Sequence, residues 1–416
     1  MNQRKFVFFS AVTGNILEYY DFTVYSVFWA IIGKTFFPAS SEFAQALFSL
    51  GAFAVGFITR PIGGILFGYI GDRYGRRISL IFSMLGMTIP TFAMGLIPSY
   101  AEIGNYAPVL LVICRLIQGL CISGEGTGAA IFVLEHQNNM RPGLVTAAVH
   151  GTNITGSLIA TFIGICIGHF FPNIEYAWRF AFILGGVMGI VGFYLRLRVS
   201  ETPIFAGLAE KKRTLKAPFI HVIKTAWPSM FLTFCVAGVT SSIVYMVKTY
   251  VVVFFTSVMH YPDPIPFYYS SYALFILMIS MPIAGYFVDR IGKVVVMKWS
   301  VVGVLFFAIP TLLLMSSDKI YNQILSLTML ATLAGSMSGA AYIFVISLFK
   351  PEQRFSGVAF SYNFGIAVFG GTSPIISRWL VEVTGIYYAP AFYIMSTASL
   401  FLIVMFVMRK LIAQIS

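Results

Sequence analysis

Long apolar stretches follow one another along nearly the whole chain, and they constrain the fold more than any other feature of the sequence. Stretches of 18 or more residues with few charges recur throughout, which is the length that a helix needs to cross a bilayer. Of the 416 residues, 58% are hydrophobic and 10% are charged, whereas a soluble domain carries about 25% charged residues. Because lipid offers the backbone no hydrogen-bond partner, such spans must be helical. The sequence therefore predicts an all-α polytopic membrane protein.

Twelve such spans can be placed along the chain, numbered one to twelve in chain order. An even number of spans puts both termini on one side of the membrane. Lys and Arg gather on that side, which is therefore predicted to be cytoplasmic. This asymmetry accounts for the net charge of +12, so no nucleic-acid partner is inferred from it. The predicted bounds of the spans are 6–36, 43–70, 78–98, 107–135, 142–171, 177–198, 225–258, 266–290, 294–316, 321–349, 354–382 and 387–410.

A glycine-rich motif occurs once in each half of the chain. The sequence GYIGDRYGRR occupies residues 68–77 after span two, and GYFVDRIGK occupies 285–293 after span eight. A second pair of similar loops, 138–143 and 352–357, also takes matching places in the two halves. A chain that repeats itself at half its length consists of two copies of one unit. We therefore predict two six-helix bundles related as parallel repeats, which is the arrangement of a transporter with a binding site between two lobes.

The longest polar stretch, residues 196–224, divides six spans from six. The predicted domains are an N-terminal bundle over 1–198, a cytoplasmic linker over 199–224 and a C-terminal bundle over 225–416. The apolar run after the basic N-terminus is followed by no small-residue cleavage site, so it is predicted to be an uncleaved helix.

The repeated motif is predicted to act as a conformational switch. Gly64 and Gly68 form a small-xxx-small face that lets another helix approach closely. Asp72, at the membrane edge, can face the positive N-terminus of a neighbouring helix. The alternative is a basic loop that only sets the topology. The residues assigned to the switch are Gly68, Asp72, Arg73, Gly75, Arg76, Asp289 and Arg290.

Several stretches resemble one known family. The pattern GxxxDRxGRR between spans two and three is similar to the signature loop of the major facilitator superfamily. Within it, five stretches resemble the metabolite:proton symporter family, whose members carry citrate, 2-oxoglutarate, shikimate, other carboxylates, and proline or betaine. The resemblance implies the major facilitator fold and proton-coupled transport. The five stretches are GNILEYYDFTVY (14–25), VGFITRPIGGILFG (55–68), CRLIQGLCISGEGTG (114–128), SETPIF (200–205) and SYNFGIAVFGGTSPII (361–376).

Two cations inside the membrane are predicted to bind the carboxylate of a substrate. A charged side chain is costly inside a membrane and is therefore expected to have a function there. Arg60 lies near the middle of span two, and Lys248 lies in span seven. Each has an alternative role. Arg60 can instead pair with Glu18 or Asp21, and Lys248 can extend toward the outer surface. The other predicted substrate-binding residues are Tyr25, Gln118, Tyr362 and Asn363.

Three acids and one arginine are predicted to couple transport to protons. Glu18 and Asp21 share one face of span one, and two close acids tend to titrate apart. Asp21 is favoured as the carrier because it lies deeper in the membrane. Arg115 lies in RxxQG, which resembles the superfamily element linked to proton coupling, and a static salt bridge to a first-span acid is the alternative. Glu125 lies among small residues, where close helix packing is the alternative role.

These residues together predict a secondary active transporter that imports a small carboxylate-bearing or zwitterionic metabolite by proton symport through alternating access. The alternative is proton-driven efflux of a small molecule or drug, which predicts an apolar cavity with few buried cations. The motifs GxSxG, HExxH and the P-loop do not occur, so no enzymatic activity is expected. We expect no cofactor, with protons as the coupling ion, and no metal site. The expected partners are the substrate, protons and the lipid bilayer, with the chain a monomer in the bacterial inner membrane.

Overall fold

The structure is a computed structural model that describes residues 3–37, 42–136, 141–171, 174–211, 214–262 and 265–415. Within these ranges ten helices are long and apolar enough to cross a membrane, and they form spans three to twelve. Span one consists of Gln3–Val27 and Trp29–Phe36, and span two is Glu42–Arg73. The helices of spans three to twelve are Arg76–Leu96, Tyr106–His136, Pro142–Phe170, Ala177–Leu197, Pro218–Ser257, Ile265–Ile291, Lys293–Met315, Ile320–Ser347, Arg354–Thr384 and Pro390–Val407.

The predicted class, an all-α membrane protein of twelve spans, is confirmed. The largest difference in bounds is at span seven, which begins at Pro218 where the sequence predicts residue 225. Proline suits this first position because the first helical N–H has no intrahelical partner. The last part of the stretch predicted as a linker is therefore helical. The division into 1–198, 199–224 and 225–416 stays a prediction, and residues 138–140 of the first repeated loop lie outside the described residues.

Three spans are interrupted where the sequence predicts continuous helices. Span one breaks at Phe28, while spans seven and eleven contain the π-helical turns Met246–Tyr250 and Ile366–Gly370. These two turns face neighbouring helices, and a Cβ added at Gly370 would lie 2.9 Å from the Tyr245 ring. A π-helical turn holds one extra residue, and such bulges often occur at functional sites. The apolar pattern that predicts a span does not show where such a residue is inserted.

Two seams join the halves of the molecule. Span two packs along span eleven, and span eight packs along span five, so the seams are related by the sequence repeat. Glycines allow the close approach. A Cβ at Gly68 would lie 2.7 Å from the Cα of Ser356, and one at Gly285 would lie 2.6 Å from the carbonyl oxygen of Gly143. The end of the molecule where these seams meet the repeated motif is called the motif face below.

Candidate substrate and proton sites

The two motif aspartates form the same contact in the two seams. The Asp72 carboxylate accepts hydrogen bonds from the backbone N–H groups of Phe355 (3.2 Å) and Ser356 (2.8 Å), at the start of span eleven. The Asp289 carboxylate accepts from the N–H groups of Gly143 (2.7 Å) and Leu144 (2.9 Å), at the start of span five. A carboxylate at a helix N-terminus satisfies unpaired donors and complements the helix dipole. Each aspartate thus ties its own half to the other and holds the motif face closed.

A buried ionic network surrounds the first of these contacts. The guanidinium of Arg76 lies 3.4 Å from Asp72 and 3.2 Å from Glu135, and it donates to the carbonyl of Pro351 at 2.6 Å. Glu135 in turn pairs with Arg354 across the seam at 3.2 Å. Glu135 and Arg354 were not among the residues that the sequence predicts for the site. Their positions directly before and within the repeated loops are the signal that would have found them.

Glu201, in the stretch SETPIF, holds the start of span three. Its carboxylate accepts from the backbone N–H groups of Arg76 and Arg77, each at 3.1 Å. Gly75 precedes them with φ +126°, a conformation that L-residues with a side chain rarely adopt. Burial raises the pKa of the Glu201 carboxyl, and the backbone N–H groups of Thr202 and Arg77 oppose that rise. This residue also was not among the predicted site residues.

The second copy of the motif is less enclosed than the first. Gly292 has φ +95°, as Gly75 does, but Arg290 is exposed and Lys293 is only half-buried. Arg73 of the first copy donates to the carbonyl of Lys216 in the polar segment before span seven, at 2.9 Å. Within the described part of the chain, the buried ionic network therefore lies at the seam of spans two and eleven.

Arg60 lies at the middle of the molecule without an acid partner. Its side chain is buried, and no carboxylate lies within 4 Å of it among the described residues. Its guanidinium carbon lies 4.7 Å and 4.4 Å from the ring centroids of Phe22 and Phe57, while its Nε and Nη2 have no hydrogen-bond partner among the described residues. The alternative pairing with Glu18 or Asp21 is not formed in this structure. Unsatisfied buried donors of this kind are costly unless a ligand takes them up.

Lys248 approaches the same region from the second half. It lies in the π-helical turn of span seven, is half-buried and is an electrostatic neighbour of Arg60. Its Nζ lies 5.2 Å from the ring centroid of Tyr19 and 5.9 Å from that of Tyr245. Among the ion pairs of the described residues none involves Lys248. The side chain therefore points among aromatic rings between the halves.

Tyr362 and Asn363 lie beside this region on span eleven. Asn363 donates to the carbonyl of Ser123 on span four at 3.2 Å, and so links the halves. The Tyr362 ring packs edge-on against Tyr342 at 5.4 Å between centroids. The His150 ring stacks on the Tyr342 ring with 3.9 Å between their centroids, and the His150 Nδ1 lies within hydrogen-bond distance, 2.9 Å, of the carbonyl oxygen of Ser338. Arg60, Lys248, Tyr362 and Asn363 thus come together between the halves, as a shared substrate site requires.

Tyr25 and Gln118 do not reach this space and lie inside the first half. The Tyr25 hydroxyl donates to the carbonyl of Ser49 at 3.0 Å, and the Arg115 guanidinium lies 4.4 Å from the Tyr25 ring centroid. Gln118 accepts from Arg115 at 2.8 Å and donates to the Thr91 hydroxyl at 2.8 Å. Their role in substrate binding stays a prediction, and the contacts seen are ones that position Arg115.

The two first-span acids lie in the same half but in different surroundings. Asp21 lies beside the Thr91 hydroxyl. Two neutral side chains, Gln118 and Thr91, therefore connect Arg115 with Asp21. Both carboxylate oxygens of Glu18 are buried and have no hydrogen-bond partner. The two acids line a narrow gap that is too small to hold a water molecule. Protonation of an unpartnered buried carboxyl group removes the cost of its charge.

Glu125 has a partner at the end of span six, where the predicted span overlaps the polar stretch 196–224. It forms an ion pair with Arg196, near the end of span six, and accepts from Ser83 at 3.1 Å. Glu18 is an electrostatic neighbour of this pair. Arg196 is fully buried, although its position in a polar segment suggested a solvent-exposed charge. Its burial depends on Gly14, where a Cβ would lie 2.6 Å from the Arg196 guanidinium.

Comparison with known proteins decides the family. The sequence profile of the Major Facilitator Superfamily matches residues 11–302 of the chain. The chain belongs to the Major Facilitator Superfamily. This agrees with the glycine-rich motif, the twelve spans and the parallel repeat, and it makes the chain a multi-pass membrane protein.

Relatives cover almost the whole chain. The glycine betaine/proline/ectoine/pipecolic acid transporter OusA of Dickeya dadantii (strain 3937) is 32% identical over 405 residues, 94% of this chain and 80% of OusA. The proline/betaine transporter of Escherichia coli (strain K12) is 31% identical over 417 residues, 96% of this chain and 82% of the relative. These relatives are transporters, and the superfamily assignment identifies this chain as a transporter and not an enzyme. The predicted resemblance to metabolite:proton symporters is confirmed.

Solved structures confirm the superfamily fold. A double Trp mutant of XylE superposes with a TM-score of 0.78 at 17% identity, over 98% of this chain and 95% of that one. The human organic anion transporter MFSD10 superposes with a TM-score of 0.65 at 14% identity, over 99% of this chain and 100% of that one.

The closed motif face yields a first testable prediction. Asp72→Asn removes the charge that faces the start of span eleven, so the closed state loses stability relative to the open one. A charge at a helix terminus contributes up to about 2 kcal/mol, and we expect transport to fall about tenfold while the protein stays folded. The measurement is the initial transport rate in liposomes, with thermal unfolding as the folding check. Asp318→Asn is the control, because Asp318 is exposed. Wild-type rates in Asp72→Asn would reduce the motif to a topology signal.

Proposed function

We propose that this chain is a proton-coupled symporter that imports a small zwitterionic solute, such as a betaine or proline, by alternating access. The observation that carries the proposal is the pair of cations, Arg60 and Lys248, which approach one another between the halves and form no ion pair with an acid among the described residues. The names of the relatives, proline/betaine transporter and glycine betaine/proline/ectoine/pipecolic acid transporter, support the substrate class.

The electrostatics of this pair favour a ligand with a carboxylate. Two neighbouring cations in a poorly solvated space repel one another, and a carboxylate between them relieves the repulsion. The guanidinium of Arg60 has unused donors in a planar arrangement that matches a carboxylate, and Lys248 supplies a flexible point charge. Because Arg60 belongs to the first half and Lys248 to the second, a carboxylate held by both would also draw the halves together.

The acids proposed to bind the coupled proton lie inside the first half of the molecule, separate from the proposed substrate site. Glu18 and Asp21 lie within the bundle. The polar chain from Arg115 connects Asp21 with the region of Arg60, because the guanidinium groups of Arg115 and Arg60 both lie 4.7 Å from the ring centroid of Phe22. Uptake of a proton by one acid would change the charge balance near both arginines. This arrangement would link proton binding to substrate binding.

The closed motif face fits one state of the import cycle. The positive-inside asymmetry would place this face and both termini in the cytoplasm of a bacterial inner membrane. The structure would then be closed to the cytoplasm, which is the half of the cycle in which an importer exchanges substrate with the outside. Release inside would require breaking the contacts of Asp72 and Asp289 with the opposite helices.

Substrate selectivity gives a second prediction and separates import from drug efflux. The buried cations disfavour lipophilic cations, which carry no carboxylate to neutralise Arg60 and Lys248. In liposomes loaded with unlabelled solute, we expect counterflow of labelled glycine betaine or proline and none of an ethidium-like cation. Di- and tricarboxylates belong in the same panel, because the predicted substrate class includes them. Robust transport of the lipophilic cation with no counterflow of any carboxylate-bearing solute would support the efflux alternative.

A further inference from the structure

The surroundings of Lys248 resemble a site for a cation. The ammonium lies within 6 Å of two ring centroids, those of Tyr19 and Tyr245, at the distance where a cation is attracted to an aromatic face. Two more tyrosines lie next to Tyr19. A Cβ added at Gly126 would lie 3.0 Å from the Tyr342 hydroxyl and 3.5 Å from the Tyr19 hydroxyl, so these hydroxyls are close together, and Tyr362 packs against Tyr342.

These rings come from both halves of the molecule. Tyr19 belongs to span one, while Tyr245, Tyr342 and Tyr362 belong to spans seven, ten and eleven. Tyr19 and Tyr245 keep partial exposure although they lie at the middle of the molecule, so they border interior space. We refer to Tyr19, Tyr245, Tyr342 and Tyr362 as the tyrosine cluster.

We propose that the tyrosine cluster is the binding subsite for the substituted ammonium group of the substrate, and that Lys248 occupies this subsite until the substrate displaces it. The inference rests on the proposed function, because it assigns the second charged end of the same zwitterion. In the empty transporter the Lys248 ammonium acts as a tethered stand-in for the ligand cation. When substrate binds, its ammonium group takes the space among the rings, and Lys248 moves to the carboxylate.

Such an exchange explains selection for a zwitterion. A solute with only a cation must displace Lys248 from the rings without offering it a carboxylate in return, so it binds weakly. A solute with both charges offers Lys248 a charge-assisted contact in place of the one it loses. The turn that carries Lys248 is π-helical, and its local backbone differs from the flanking α-helices at the position where the side chain must move.

The test compares two ligands in the variant Lys248→Met, which keeps the length of the side chain and removes its charge. Binding of choline and of glycine betaine is measured with purified protein in lipid nanodiscs. We expect choline to bind about two- to thirtyfold more tightly in Lys248→Met than in wild type, because the rings are vacated. Glycine betaine also gains the vacated rings, but its carboxylate loses a partner, so its affinity is expected to change about tenfold less favourably than that of choline.

Two controls keep the comparison specific. Lys298→Met removes an exposed lysine of span nine and is expected to change neither affinity. In the Lys248→Met background, Tyr19→Phe is expected to keep the gain for choline, and Tyr19→Leu, which lacks the ring, is expected to lose it. Thermal unfolding of each variant establishes that it is folded.

The outcomes separate the inference from the function it rests on. Choline that binds no more tightly in Lys248→Met than in wild type, or binds to neither, overturns the assignment of the tyrosine cluster. A gain in affinity for glycine betaine in Lys248→Met as large as the gain for choline overturns the movement of Lys248 to the carboxylate. If wild type neither binds nor exchanges glycine betaine or proline, the proposed function fails, while the choline comparison still decides whether Lys248 occupies a cation subsite.

Discussion

Glu18→Gln is expected to abolish accumulation of substrate driven by a pH difference, while counterflow of substrate without a proton gradient continues at a substantial rate. Glutamine keeps the shape of glutamate but cannot take up or release a proton at this position. Both Glu18 oxygens are buried without a hydrogen-bond partner among the described residues. The positive charges of Arg196 and Arg60 act on the charged form of Glu18 only from a greater distance. The geometry therefore favours Glu18 as the proton carrier over Asp21, which lies beside Thr91.

The comparison with Asp21→Asn tests this assignment. If Asp21 instead carries the proton, Asp21→Asn shows the loss of pH-driven accumulation and Glu18→Gln does not. Glu210→Gln is the control, because Glu210 is exposed outside the spans. Should both Glu18→Gln and Asp21→Asn still concentrate substrate under an imposed pH difference, the first-span acids are structural. Coupling would then have to be sought at Glu125 and its partner Arg196.

Arg60→Lys is expected to weaken substrate binding by about ten- to a hundredfold, although the positive charge is kept. Lysine cannot form the two parallel hydrogen bonds that a guanidinium makes with a carboxylate. It also lacks the guanidinium group that contacts the rings of Phe22 and Phe57. The measurement is the dissociation constant of glycine betaine or proline in nanodiscs, with thermal unfolding as the folding check.

An exposed arginine provides the control for Arg60. Arg409→Lys makes the same chemical change after span twelve, where the side chain is exposed, and it should leave the dissociation constant unchanged. Arg60→Met should bind at least as weakly as Arg60→Lys, since it lacks the charge as well as the guanidinium geometry. An unchanged dissociation constant in both Arg60 variants would mean that Arg60 is held by Phe22 and Phe57 for structural reasons alone.

The sequence predicts those features that depend on local pattern. The number of spans follows from apolar length, and the close approach at Gly68 follows from small residues four apart. The contact of Asp72 with a helix N-terminus could also be predicted, because a charge at the end of one span needs a donor group nearby. What could not be predicted is which helix supplies the donors, since Ser356 lies far along the chain and in the other half.

The site was less predictable than the fold, for a physical reason. A charged residue inside a long apolar stretch is easy to identify in a sequence. Arg60, Lys248 and Glu125 could therefore be selected as candidate site residues. Arg196, the partner of Glu125, and Glu135, the partner of Arg76, could not be selected, because both lie near span ends. At a span end the sequence alone does not distinguish a buried charge from a solvated one. The four members of the tyrosine cluster could not be selected either, because the sequence contains 22 tyrosines. Most of these suit packing or the membrane interface equally well.

The most direct test of the central claim is accumulation of labelled glycine betaine or proline in liposomes containing the purified protein. The interior is buffered to a higher pH than the exterior, and the membrane potential is set to zero. We predict accumulation above the equilibrium level, absent without a pH difference and abolished by a protonophore. Uptake that only reaches equilibrium, with no response to the pH difference or to the protonophore, would contradict proton-coupled symport by this chain.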